Sequence, residues 1–247
     1  VAGNITNNGI FTSTTELGLA SYANGTVAAT TNAQTISGTG VYRNLSAAQT
    51  ANLTSLTVNN TNATGVTLNI PLSVSGTLTM TSGIINTTST NLLSLGTATA
   101  AGTLAGTPSA TNMVRGPFAR TIASANANTN YLLFPVGKVA YAPIWAAPAT
   151  TAATVMKAET FDSNTGTQNA AILNMATNRR WELPLVSGTI SNINVRLGDA
   201  GIVSTSIPVQ APSASGEYTS AFGSVATVVA GVSTQSTTPV LSANYTG

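Results

Sequence analysis

From about residue 33 to residue 96 the chain alternates apolar and small polar positions in short runs, broken by Asn, Gly, Ser and Thr. Alternation with a period of two, bounded by such residues, predicts half-buried strands rather than helices. Three stretches align by pattern: AQTISGTG at 33–40, NLTSLTVN at 52–59 and GTLTMTSG at 76–83. The step from Ile36 to Leu56 is 20 residues and that from Leu56 to Leu78 is 22. Two further segments, GVTLNIPLSV at 65–74 and NLLSLG at 91–96, fall about one strand later in each cycle. A recurrence near 20 residues, with aliphatics inward and small residues at corners, fits a β-solenoid-like stack. In such a stack each turn pairs with the last through backbone hydrogen bonds, about 4.8 Å apart. A Greek-key sandwich of short strands accommodates the same segments, and the pattern alone leaves both open.

The pattern changes after the Ala/Gly/Thr-rich stretch TATAAGTLAGTPSAT (97–111). VRGPFARTI (114–122) reads as a strand interrupted by a Gly-Pro turn. NYLLFPVGKVAYAPIWAAP (130–148) reads as two apolar strands punctuated by Pro135, Pro143 and Pro148. TVMKAETF, NRRWELPL, INVRLGD, GEYTSAF and SVATVVAGV bring the list to at least seven short strands. Strands at this spacing with turns between them predict an antiparallel β-sandwich, and proline inside a run predicts an edge or a bulge. The expected organisation is all-β, with a β-solenoid-like region at 1–107 and a sandwich module at 108–247.

Composition supports strands over helices. Of 247 residues, 43 are Thr and 24 are Asn, while the chain holds only two Lys and four Glu. Only 14 side chains are formally charged, or 6%, where about 25% is usual for a globular domain. Stacked strands place like residues over one another, so charge would repel where Thr and Asn can form ladders. In residues 1–110 the charged residues are Glu16 and Arg43 alone. Low charge with 43% hydrophobic residues and a mean hydropathy of +0.23 argues against disorder. The absence of His and Cys excludes disulfides, Cys/His zinc sites and His-based catalytic dyads. A pI near 9.2 rests on a net charge of only +2, which is no footprint for nucleic acid. No apolar run reaches the roughly 18 residues of a membrane-spanning helix. No basic segment precedes an apolar one at Val1, so a signal peptide is expected to be absent or removed.

The order of TISGTG, LTSLTVNN and GVTLNIPLSVSGTLTMTSGIINTTSTNLLSL, then MVRGPFARTI, YLLFPVGK, YAPI, AETF, NRRWEL and GEYTSAF, resembles Thr/Asn-rich secreted surface proteins of Bacteroidota-type bacteria. The resemblance covers about residues 30–247. It implies an exported adhesin, matrix or filament component at the cell surface, often reached through a type IX secretion route. The C-terminal sorting domain common in such proteins is the one departure from the resemblance, which implies that it was removed on export or that the chain is a piece of something longer.

Candidate chemistry is sparse. A glycosidase needs two facing carboxylates. Glu159 and Asp162 are closest in sequence, but their three-residue offset points them to opposite faces of a strand. Asp162, Asn164 and Gly166 in DSNTG have the spacing that opens a calcium loop, but no acidic residue follows to close it, so an Asx turn is the expected role. No catalytic, metal or cofactor site is expected. Tyr131, Phe134, Tyr141, Trp145, Phe161 and Trp181 suit a sandwich core. Among them Tyr141, Trp145 and Trp181 are the candidate glycan contacts, because sugars stack on aromatic rings. Arg179 and Arg180 beside Trp181 are expected to pair with Glu182 or Glu159. Eight Asn-x-Ser/Thr sequons are what this composition produces by chance, and they carry no argument for glycosylation.

A solenoid has two open ends with unpaired N–H and C=O groups, and no charged cap stands near Val1 or Gly96. The leading expectation is therefore a non-enzymatic extracellular subunit whose partner is another copy of itself. VAGNITNNGIF or PVLSANYTG is the candidate donor strand. The alternative is a monomeric adhesin module of a larger chain that holds glycans.

Overall fold

The computed structural model describes residues 1–234 except 2, 14–15, 21, 24–25, 28–31, 45–51, 165–167, 171–177, 204, 212–215, 219, 222–227 and 230–231. Every helix-or-strand element among the described residues is a β-strand. No helix there is long and apolar enough to cross a membrane. The chain divides into two compact units, Val1–Thr121 and Ile122–Gly247.

In the first unit most strands pair in parallel with strands from earlier and later passes of the chain, the exception being the antiparallel pair Tyr22–Ala23 and Thr26–Val27. One sheet takes Ile5–Thr6, Gln34–Ser37, Val66–Leu68, Ile85–Asn86 and Val114–Arg115. A second takes Leu17–Ala20, Leu53–Asn59, Leu72–Ser82, Leu93–Leu95 and Phe118–Ile122. Between these visits, in the first two passes, Ile10–Ser13 pairs with Val41–Asn44. Gln34, Val66, Ile85 and Val114 thus stand in one column, and the last three are buried aliphatics. Leu17, Leu56, Leu78 and Leu104 stand in another.

The 22-residue step from Leu56 to Leu78 is a true ladder register. The 20-residue step from Ile36 to Leu56 is not, because Ile36 pairs with Ile5 and Leu68 in the other sheet. Strand ladders count only paired residues, whereas a sequence period also counts the corners. Register steps here run from 19 residues (Val66 to Ile85) to 39 (Leu17 to Leu56). PLSV and GTLTMTS, read separately in the sequence, form one 11-residue strand, Leu72–Ser82. Its register on Leu53–Asn59 slips between Val74 and Thr77. Leu72, Val74, Leu78 and Met80 stay inward by plain alternation, while the slip lets Leu53 and Leu56, three residues apart on the partner strand, both face inward.

Corners are held by neutral side chains. Asn60, fully buried, donates from Nδ2 to the Asn32 carbonyl at 3.2 Å and to Gln34 Oε1 at 2.9 Å, and its Oδ1 accepts the Asn62 N–H. Asn86 donates to the Thr64 carbonyl at 2.6 Å, and Asn112 to the Met80 carbonyl at 2.8 Å. These bonds join successive passes, which explains why Asn is frequent where charge is not.

VRGPFARTI breaks at Gly116-Pro117 into Val114–Arg115 and Phe118–Ile122. Both strands pair with strands of the first unit, which as a compact unit ends at Thr121.

The ladders within the second unit are antiparallel, and among the described residues a single parallel bridge joins Gln168 to Tyr218. Leu132–Phe134, Ile144–Thr150, Ile190–Gly198, Val232–Thr234 and Val228–Val229 form one sheet in that order. Thr154–Phe161 pairs with Arg180–Glu182 and with Leu185–Ser187. Thr154–Phe161 alternates without a break, with Thr154, Met156, Ala158 and Thr160 buried. Pro148 sits inside Ile144–Thr150 opposite Ile193, past the end of the neighbouring Leu132–Phe134 and beside a register shift at Ala149/Thr150. A missing N–H costs little where one side of the strand has no partner. GEYTSAF and SVATVVAGV fall partly outside the described residues, and PVLSANYTG and Gly166 fall wholly outside them.

Candidate functional site

Two features stand apart from the packed interior, one in each unit. In the first unit, the strands of residues 5–20 pair on one side only among the described residues. Ile5–Thr6 meets Gln34–Ser37, Ile10–Ser13 meets Val41–Asn44, and Leu17–Ala20 meets Leu53–Asn59. Among the described residues, no ladder occupies the second row of backbone N–H and C=O groups of each. The Val1 ammonium donates to one of them, the Gly18 carbonyl, at 2.7 Å. Ile10 is 64% exposed and its register partner Val41 37% exposed, so an apolar pair lies beside this edge. Phe11 and Tyr42 pack ring to ring at 5.3 Å, and burial pushes the Tyr42 hydroxyl pKa up. The one carboxylate in this stretch, Glu16, is exposed.

In the second unit the structure separates the three candidate glycan contacts. Trp181 is 2% exposed and its indole N–H donates to the Ala142 carbonyl at 2.9 Å. It is part of the core, since alternation along Arg180–Glu182 turns it inward, and it offers no face to a sugar. Tyr141 closes a tight bridge with Gly137, and burial pushes its pKa up to about 12. Trp145 is half-buried, and its cross-strand partners are Leu133 and Arg196. The Arg196 guanidinium lies over the Tyr131 ring, 3.5 Å from Cζ to the centroid.

Four carboxylates of this unit, Glu159, Asp162, Glu182 and Asp199, are tied up by cations. Lys138 Nζ meets Glu159 at 2.7 Å and Arg180 meets Glu182 at 3.1 Å. Arg179 bridges Asp162, at 3.0 Å, and Asp199. Of the two expected partners, Glu182 goes to Arg180 and Glu159 goes to Lys138, while Arg179 is held by Asp162 and Asp199 instead. Asp162 Oδ2 also accepts the Val139 N–H at 3.1 Å, so its carboxylate is committed to protein donors. Glu159 and Glu182 stand directly opposite each other across the ladder. Sequence distance hid that pair, because 23 positions separate them. Each holds its own cation, and Arg180 also stacks on Phe161 with Cζ 3.8 Å from the ring centroid. This is a charge network that clamps strand to strand. Among the described residues no three acidic groups gather to hold a metal ion.

Arg196 is the functional candidate that reading along the chain missed. Its place between the inward Val195 and Leu197 marks it as outward-facing. Only the register of the sheet puts it beside Trp145.

Compared with family models, curated proteins and solved structures, the chain matches none.

Proposed function

We propose that the chain is a non-enzymatic structural subunit of an extracellular or cell-surface filament, sheath or layer that assembles through exposed strand edges. In this reading residues 1–121 coil as a β-solenoid-like stack and the second unit is an antiparallel β-sandwich. The observation that carries the reading is the set of three one-sided strands at residues 5–20, contributed by a single pass of the chain. An unpaired edge is a template for another strand, and three adjacent edges give a neighbour a full layer to continue. Contact between one surface and a different surface propagates without closing, which is the geometry of a fibre. The scarcity of charge supports the same reading, since closely stacked copies repel little.

Electron microscopy of the purified full chain tests this across concentration and salt. The expected result is ordered assemblies, lost in the double variant Thr6→Lys/Thr12→Lys, in which edge lysines disfavour strand addition. Circular dichroism checks that the variant keeps its strands. Dispersed monomers under every condition, or undiminished assembly of the double variant, overturns the proposal.

A further inference from the structure

Leu133, Trp145 and Arg196 are consecutive cross-strand partners in the five-stranded sheet, so their side chains share one face in a row. Tyr131, two residues before Leu133, supplies the ring under the Arg196 guanidinium. The flanking residues Ile144, Ala146, Val195 and Leu197 are all buried, as alternation requires if the row faces outward. Tyr131, Leu133, Trp145 and Arg196 are themselves half-buried.

Arg196 has neither a carboxylate nor a hydrogen-bond acceptor among the described residues, and its Nε is shielded from water without an acceptor. Lys138, Arg179 and Arg180 are all neutralised in the same unit. A guanidinium laid flat on a ring keeps its outer N–H edge fixed and free for a planar anion, and its partly desolvated position strengthens such a bond. Trp145 stands between Arg196 and Leu133 in the row, its strand about 4.8 Å from each neighbour, and offers an apolar plane on the same face.

We propose that this row binds a carboxylated sugar, with Arg196 holding the carboxylate through two parallel N–H bonds and the Trp145 indole stacking on the pyranose ring. A neutral sugar would leave the cation unmatched, and an apolar partner would bury it unpaired, which is costly. The site lies wholly in the second unit and does not rest on the strand edges of the first.

The full chain is titrated with a galacturonate tetramer, the methyl ester of that tetramer and a neutral galactose tetramer, followed by calorimetry and tryptophan fluorescence. The acid should bind saturably and weaken as salt rises. The ester and the neutral sugar should bind about tenfold more weakly or worse, as loss of a charged hydrogen bond requires. Arg196→Gln and Trp145→Ala should each lose about tenfold or more, with Arg196→Lys between them and the unmodified chain, because lysine keeps the charge but not the fork. Thr6→Lys/Thr12→Lys should bind the acid unchanged. If Arg196→Gln fails to fold, the comparison of acid with ester on the unmodified chain decides. No saturable binding, equal affinity for acid and ester, or full affinity in a folded Arg196→Gln variant overturns the proposal. So does an Arg196-dependent dimer indifferent to uronate, which would give this face to a second copy.

Discussion

Single atoms decide several positions. At Gly83 φ is +101°, and a Cβ added there would lie 1.9 Å from the Asn60 carbonyl oxygen. Gly83→Ala should therefore cost about 1–3 kcal/mol in urea unfolding, since both strain and a backbone clash oppose it. Gly18→Ala is the control: nothing lies within 4 Å of its Cβ, so its midpoint should move by less than about 0.5 kcal/mol. Tyr141 makes a pH prediction. Burial raises its pKa to about 12, so its neutral form is favoured in the fold. That stability is complete below the unfolded value of about 10 and is lost as pH rises through 12. Arg120 works in the opposite sense, because burial lowers its pKa to about 10 and removes a buried charge as pH rises. Comparing Tyr141→Phe with the unmodified chain isolates the tyrosine. The variant should lose less stability between pH 8 and pH 11.5, measured as the shift in denaturant midpoint, and an identical shift in both proteins would count against a buried hydroxyl.

The strand is where local pattern and observed structure meet most closely. Leu72–Ser82 keeps its buried side chains at even positions and Leu53–Asn59 alternates from Leu56 onward, with Leu56 and Leu78 paired in register. Leu78 is fully buried between the strands of Leu56 and Leu104. Truncating it leaves a cavity that a closely packed ladder cannot readily close. Leu78→Ala is expected to cost about 2–5 kcal/mol in thermal or urea unfolding. A cost below about 1 kcal/mol would mean that this column is not tightly packed. The charge clamp on Thr154–Phe161 works differently. Its carboxylates and cations are partly exposed, so the clamp aligns the strand pair more than it stabilises it.

At the scale of the whole molecule, neutrality has a measurable consequence. With 14 charged side chains in 247, the proposed contacts between copies would depend on backbone pairing and apolar surface rather than on ions. Raising salt from about 0.05 to about 0.5 M, which shortens screening several-fold, should leave light scattering from the assemblies nearly unchanged. Assemblies that dissolve in salt would point to charged contacts instead. The all-β character was legible from residue types alone. Thr, Val, Asn and Gly favour strands and corners, and the apolar alternation of segments such as TVMKAETF needs no tertiary information to be read. The ion pair of Arg180 with Glu182 was legible too, since residues two apart share a strand face. What neighbours what across the sheets was not. Ile36 went to the column of Ile5 and Leu68 because corners of unequal length decouple sequence spacing from ladder register. Trp181 turned inward between the charged Arg180 and Glu182, while Trp145 stayed half-exposed in the apolar strand Ile144–Thr150. The facing of Glu159 with Glu182, and of Trp145 with Arg196, likewise depends on hydrogen bonds between distant segments. Local chemistry determines that a segment will be a strand and which of its faces is apolar. Only the closed set of backbone pairings decides which strand lies beside it, and so which side chains can act together.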